Sequence, residues 1–178
     1  YKSMKMDLKV TIQDGKFKEE QTAKVSVKGN KFKIDSKDQL IISDGKKNWI
    51  YLKEDGQLQI SQPDPDDVGM FSSPDKLLKM YQDEFISGYI GKFKLNGKVV
   101  HKIEFKPKDK NSEYSKVAVY IDINSLNVAK IKVFDKSNIH YSIEMKNFVK
   151  NTDMKDSDFK FDEKTVSEEN IIRLCDNC

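Results

Sequence analysis

The stretch from Leu40 to Ile60, LIISDGKKNWIYLKEDGQLQI, restricts the fold more than any other part of the chain. It reads as three short apolar strands joined by two tight turns. Asp44-Gly45 and Asp55-Gly56 carry the turns, because these residues tolerate the positive φ that such turns need. Between the turns stands the single tryptophan of the chain, in Trp49-Ile50-Tyr51. The stretch holds no metal cluster and no phosphate loop. It predicts the middle of a curved sheet that shows aromatic surface to something apolar.

The same period of two runs in both directions from this stretch. Met4, Met6, Leu8, Val10 and Ile12 alternate with polar residues, and after Asp14-Gly15 so do Ala23, Val25 and Val27. Gly29-Asn30 turns the chain into Phe32 and Ile34. These residues predict an antiparallel meander, apolar on one face and polar on the other. After Ser61 the character changes. Pro63 and Pro65 among Asp64, Asp66 and Asp67 predict a loop. Ser73-Pro74-Asp75 supplies an N-cap, a first-turn proline and an acid. Leu77, Leu78, Tyr81 and Phe85 then follow at helical spacing, which predicts an amphipathic helix over 74–85 ended by Gly88 and Gly91. Strand alternation returns from Val99 to Met145 with turn signals about every ten residues. Phe159-Lys160-Phe161-Asp162 predicts a last short strand.

At 178 residues the chain is expected to form one domain, 1–178. It has no run of about 18 apolar residues, so no transmembrane helix is predicted. Net charge is +3, from 32 basic and 29 acidic residues interleaved along the sequence. Arg173 is the single arginine. Interleaved lysines with a single arginine argue against nucleic acid as a partner. Cys175 and Cys178 form a CxxC at the C-terminal end of the sequence, outside any βαβ unit, and predict a local disulfide or a reactive tail rather than redox chemistry.

The search for catalysis comes up short. His101 falls on an otherwise apolar strand face, where a satisfied core histidine outweighs a general base. Asp64, Asp66 and Asp67 lack the glycine and glutamate of a calcium loop. No metal or other cofactor is expected, and no carboxylate pair stands out for glycoside chemistry. The apolar face says more. A flat sheet would pack against another sheet as an ordinary β core. A curved one would use the helix as a lid over a cavity suited to acyl chains.

The segment Ile42-Ser43-Asp44-Gly45-Lys46-Lys47-Asn48-Trp49-Ile50-Tyr51 resembles the DG…W.Y segment of the LolA family, periplasmic carriers of outer-membrane lipoproteins. Gly29 to Ile34 resembles the strand that enters it, and Ser73-Pro74-Asp75-Lys76-Leu77-Leu78 resembles the start of the family's lid helix. Val117 to Asp122, Ala129 to Asp135 and Phe159-Lys160-Phe161 resemble later strands, so the likeness runs along almost the whole chain. The resemblance implies a mainly β fold, an unclosed half-barrel of about ten to eleven antiparallel strands with a helical lid over a hydrophobic cavity. It also implies a missing N-terminal helix and signal peptide upstream of Tyr1.

The function it implies is carriage rather than catalysis. The expected cargo is acylated lipoproteins, received from an inner-membrane LolCDE-type transporter and passed to an outer-membrane acceptor by a monomer in the periplasm of a Gram-negative bacterium. The expected acyl-chain surface is Met6, Leu8, Val10, Phe32, Trp49, Tyr51, Leu77, Leu78, Tyr81 and Phe85. Lys28 stands where better-known members carry an arginine that bonds to the lid. The rivals are an RseB-like lipid sensor of the same fold, a β-sandwich glycan hydrolase and an adhesion module.

Overall fold

The computed structural model describes residues 2–63 and 84–175. Its strands are β1 (Ser3–Asp14), β2 (Phe17–Lys28), β3 (Lys31–Ser36), β4 (Gln39–Ser43), β5 (Asn48–Leu52), β6 (Gln57–Ser61), β7 (Phe85–Leu95), β8 (Lys98–Pro107), β9 (Tyr114–Asp122), β10 (Val128–Asp135), β11 (Ile139–Lys150) and β12 (Ile171–Arg173). They form a 12-stranded sheet in the order β12-β6-β5-β4-β3-β2-β1-β11-β10-β9-β8-β7. The order does not close, because β12 and β7 stand at its two ends. The mainly β, unclosed character agrees with expectation, with more strands than predicted. The unforeseen members are β7 and β12, and β12 pairs parallel to β6 in the register Ile171↔Leu58.

The turn signals form turns. Asn96 and Gly97 both take positive φ, 51° and 77°, which matches the twist of the β7–β8 hairpin. At Gly45, φ is +86°, and a Cβ there would run into the side chain of Asn30. The Asp44 carboxylate closes that turn, accepting from the amides of Lys46 and Lys47 at 2.8 Å each.

The helix expected over 74–85 lies outside the described residues save for its last two, of which Glu84 is helical. There Phe85 begins β7, and Gly88 and Gly91 lie inside the strand instead of ending a helix. Gly91 has φ +141° at a bulge in the β7–β8 ladder, a place where glycine is common on an end strand. The strand expected at 159–162 does not form. Asp156–Phe159 is a 3-10 turn, followed by two more at Glu163–Thr165 and Glu168–Asn170. Local carboxylates hold these turns: Asp158 accepts from the Lys155 amide at 2.9 Å and Asp162 from the Lys164 amide at 3.2 Å.

The chain divides into two compact units, and β1, β2 and β11 each give one end to each. Unit one comprises residues 1–7, 22–76 and 147–178, and unit two residues 8–21 and 77–146. The core of unit one is Ile42, Trp49, Leu58, Ile60, Met154 and Phe159. In unit two Leu8, Val100, Val117, Ala118 and Ile143 are buried.

Candidate functional site

Register decides what each face of unit one can do. Hydrogen-bonded neighbours across a sheet point to the same side. Ile42 pairs with Trp49 and Trp49 with Ile60, while Leu40 pairs with Tyr51 and Tyr51 with Leu58. These six residues form one side of β4–β6. Phe32 instead pairs with Ser43, and Ile42 with Lys33. Phe32 therefore lies on the opposite side from Trp49 and Tyr51, and the common surface expected for the three does not form.

The tryptophan side is filled by the chain itself. Met154 and Phe159 pack into it, and Phe161, Val166 and Ile171 lie against the cluster. Trp49 is only 4% exposed. Its indole N–H donates to Glu163 Oε1 at 2.9 Å, which satisfies the one polar atom that burial would strand. Arg173 Nη2 stands 3.9 Å from the other oxygen of Glu163 and also pairs with Glu168. Tyr51 meets Phe161 with ring centroids 5.4 Å apart. Sequence reasoning missed Met154 and Phe159 as core residues, although the F.F spacing marked the place.

Lys28, expected to bond to the lid, has its described partners on this C-terminal segment. Its Nζ donates to the Met154 carbonyl at 2.8 Å and pairs with Asp156 Oδ1 at 2.9 Å. Lys31 pairs with Asp156 Oδ2 at 2.7 Å. Lys31 first and Lys28 second push the Asp156 carboxyl down to about 2. On the same side is a cavity of about 410 Å³ between Lys5, Lys24, Ser26, Lys33 and Asp158, with Phe159 and Met154 at its wall. Its lysines and carboxylates suit water better than an acyl chain.

The other side of unit one is aliphatic. Val25 pairs with Ile34 and Val27 with Phe32, and Ile34 continues to Ile41 and Ile41 to Ile50. Met6 shares this side, since Lys5 lines the cavity on the other. Val25, Val27 and Met6 are buried, whereas Phe32, Ile34, Ile41 and Ile50 are half-buried.

Unit two has an aliphatic side of its own. Phe105 pairs with Val117, Ile103 with Val119 and His101 with Ile121. Val119 and Val117 continue to Ile131 and Val133, and these to Ile143 and Tyr141. Most of them are half-buried, so the side is neither a sealed core nor bare surface. Leu8 and Val10 have the parity opposite to Lys9, which pairs with Glu20 at 2.8 Å. His101 is a polar group amid these aliphatics, and Tyr89 Oη lies 3.0 Å from its Nδ1. Lys92 is its neighbour across the β7–β8 ladder. Phe85 is half-buried at the start of β7. Leu77, Leu78 and Tyr81 lie outside the described residues. Among the described residues no group of His, Cys, Asp and Glu could hold a metal ion. Cys175 is disulfide-bonded.

Comparison with known proteins supplies the family. The chain is 29% identical over 163 residues to the uncharacterized protein MJ0687 of Methanocaldococcus jannaschii, covering 90% of this chain and 46% of that protein. It therefore spans about half the length of the curated relative it matches. A crystal structure of an uncharacterized conserved protein from Thermus thermophilus superposes with a TM-score of 0.63 at 12% identity, over 96% of this chain and 90% of the other. A LolA superfamily protein from Nitrosomonas europaea matches at a TM-score of 0.44 and 11% identity, over 89% and 90% of the two chains. The family model described as outer membrane lipoprotein carrier protein LolA matches residues 2–162, and the chain belongs to the LolA family.

Proposed function

We propose that this chain binds the acyl chains of lipid-modified proteins on an aliphatic sheet side and carries them, without catalysis, through the periplasm. In that reading it takes them from a LolCDE-type transporter in the inner membrane and yields them to an outer-membrane acceptor. The observation that supports it best is the half-buried aliphatic side of unit two, built on Ile103, Val119, Ile121, Ile131 and Val133. An acyl chain released into water loses about 0.8 kcal/mol for each methylene that had been buried. A side of half-open aliphatics recovers most of this without directional bonds, so cargo can also leave. Trp49 and Tyr51 drop out of the proposed surface. Leu8 and Val10 stay in it, and Met6 and Phe32 belong to the equivalent side of unit one.

The test is native mass spectrometry of the chain with a triacylated peptide and with its non-acylated form. A complex with the acylated peptide alone is expected, together with its loss in Ile131→Glu, provided the variant keeps a cooperative melt. No complex, or one unchanged by the charge, would refute the reading. A sensor resembling RseB is the second reading, favoured by the relative that is about twice as long as this chain. Sensing predicts binding without transfer to acceptor vesicles.

A further inference from the structure

The opposite side of the unit two sheet carries charge out of balance. β8 places Lys98, Lys102 and Lys106 there, β9 Lys116, and β10 Lys130 and Lys132. The acids in the same rows are Glu104, Asp122 and, on β11, Glu144. Asp122 is occupied by a turn: its Oδ1 accepts from the amides of Asn124 and Ser125 at 2.9 and 2.8 Å. Glu104 is shared by Lys102 at 2.7 Å and Lys116 at 3.1 Å. Glu144 is shared by Lys130 at 2.7 Å and Lys146 at 3.8 Å. Each free carboxylate thus already serves two lysines. Lys98, Lys106 and Lys132 have no carboxylate within ion-pair distance among the described residues.

Lys132 is the most exacting of the three. It stands in register between Ala118 and Ser142. Burial first, then the charges of Lys130 and Lys102, pull its pKa below the usual lysine value, and the more weakly acting Glu144 offsets this only in part. A cation desolvated between two like charges gains more from an arriving anion than a fully hydrated one does. Aromatic rings lie among these lysines. Lys102 Nζ is 5.4 Å from the Phe93 ring and 6.0 Å from that of Tyr120, and Lys116 Nζ is 4.7 Å from that of Phe134. Phe93 is 43% exposed at the end of the sheet.

A lysine-rich strand side is most often simply solvated. Six lysines against three acids, three of those lysines in no ion pair among the described residues and one of them desolvated, together with an exposed ring on the same side, are more than solvation requires. We propose that this side of unit two docks on the surface of an anionic lipid bilayer. A broad sheet side of lysine point charges suits a diffuse anionic surface, whereas phosphate or base recognition in nucleic acid favours arginine forks. Phe93 and Tyr120 suit the headgroup level, where rings accompany basic residues. Docking by this side leaves the aliphatic side of the same strands uncovered. The inference does not depend on the acyl-binding reading.

The test is flotation of the whole chain, free of lipoprotein, with vesicles of phosphatidylglycerol in phosphatidylcholine and of phosphatidylcholine alone. Binding to the anionic vesicles alone is expected, and its loss at high ionic strength. Each lysine near such a surface is worth about fivefold in partition, so Lys106→Gln with Lys132→Gln lowers it roughly 25-fold. Lys92→Gln with Lys94→Gln removes the same charge from the other side of the sheet and keeps partition within about threefold. Equal losses in the two double variants, equal binding to neutral vesicles, or binding to duplex DNA in preference to vesicles would each overturn the proposal. Both double variants are compared at matched melting temperatures. Should Lys132→Gln disturb the fold, exposed Lys106→Gln alone must still lower partition about fivefold.

Discussion

Replacing Phe159 by alanine tests whether the segment after β11 is part of the core of unit one or only lies against it. Phe159 is fully buried, beside Leu58 and Ile60, which are fully buried as well. Those two sit on paired strands that do not collapse into a void, whereas the 3-10 turn above them can settle a little. Truncating a buried phenylalanine costs about 3–5 kcal/mol, and the stiff floor places this site near 4 kcal/mol. With a urea slope of about 2 kcal/mol per molar, the midpoint falls by about 2 M. Trp49 is the only tryptophan and is 4% exposed, so its emission follows this core directly. A midpoint shift below about 0.5 M, with unchanged slope, would show that the turn is peripheral and the packing argument wrong.

Trp49 also reports on cargo. A triacylated peptide with brominated chains should leave its emission unquenched, because Met154, Phe159 and Phe161 cover its side of the sheet; strong quenching would return Trp49 to the binding surface. The Asp156 carboxyl, held down by Lys31 and Lys28, should titrate at about 2 by NMR. Since its folded value lies below the ordinary one, any stability it contributes is present above about pH 4 and is lost as pH falls through its folded pKa. Lys31→Ala should move that midpoint up, and an unmoved midpoint would remove the pair. Gly45→Ala should lower thermal stability both by its positive φ and by collision with Asn30. Adding Asn30→Ala should recover the collision but leave a backbone cost of about 1 kcal/mol. Full recovery would mean that the φ carries no strain.

The strands were legible because alternation and turn residues are local. Gly29-Asn30, Asp44-Gly45, Asp55-Gly56 and Asn96-Gly97 all fall between paired strands, and Asp14-Gly15 at the end of β1. The face of Trp49 was harder to read, because it depends on loop parity. Lys37-Asp38 and Asp44 to Lys47 are loops of even length, so each hairpin pairs an even-numbered residue with an odd one. Counted through both loops, Phe32 joins Ile41 and Ile50, and Trp49 joins Ile42 and Lys33. The signal was present, but only the loop ends made it usable. Phe159 and Phe161 matched a strand by spacing, yet the aspartates around them favour 3-10 turns when no partner strand is adjacent. The glycines of β7 misled in the same local way, since a bulge and a helix end use glycine alike. The lysine side of unit two is invisible in composition, because interleaving along the sequence becomes segregation once alternate residues face opposite ways.

The C-terminal segment also governs when unit one can fold. Trp49 waits for Glu163, 114 residues later, and Lys28 for Met154, 126 residues later. β6 likewise waits for β12 to cover its free edge. A growing chain therefore exposes Ile42, Trp49, Leu58 and Ile60 together until residues 154–173 emerge. Long-range closure of this kind slows folding and lengthens the life of a sticky intermediate. The tryptophan strands are then a sticky surface during synthesis, and they stop being a hazard only when the last turns settle over them.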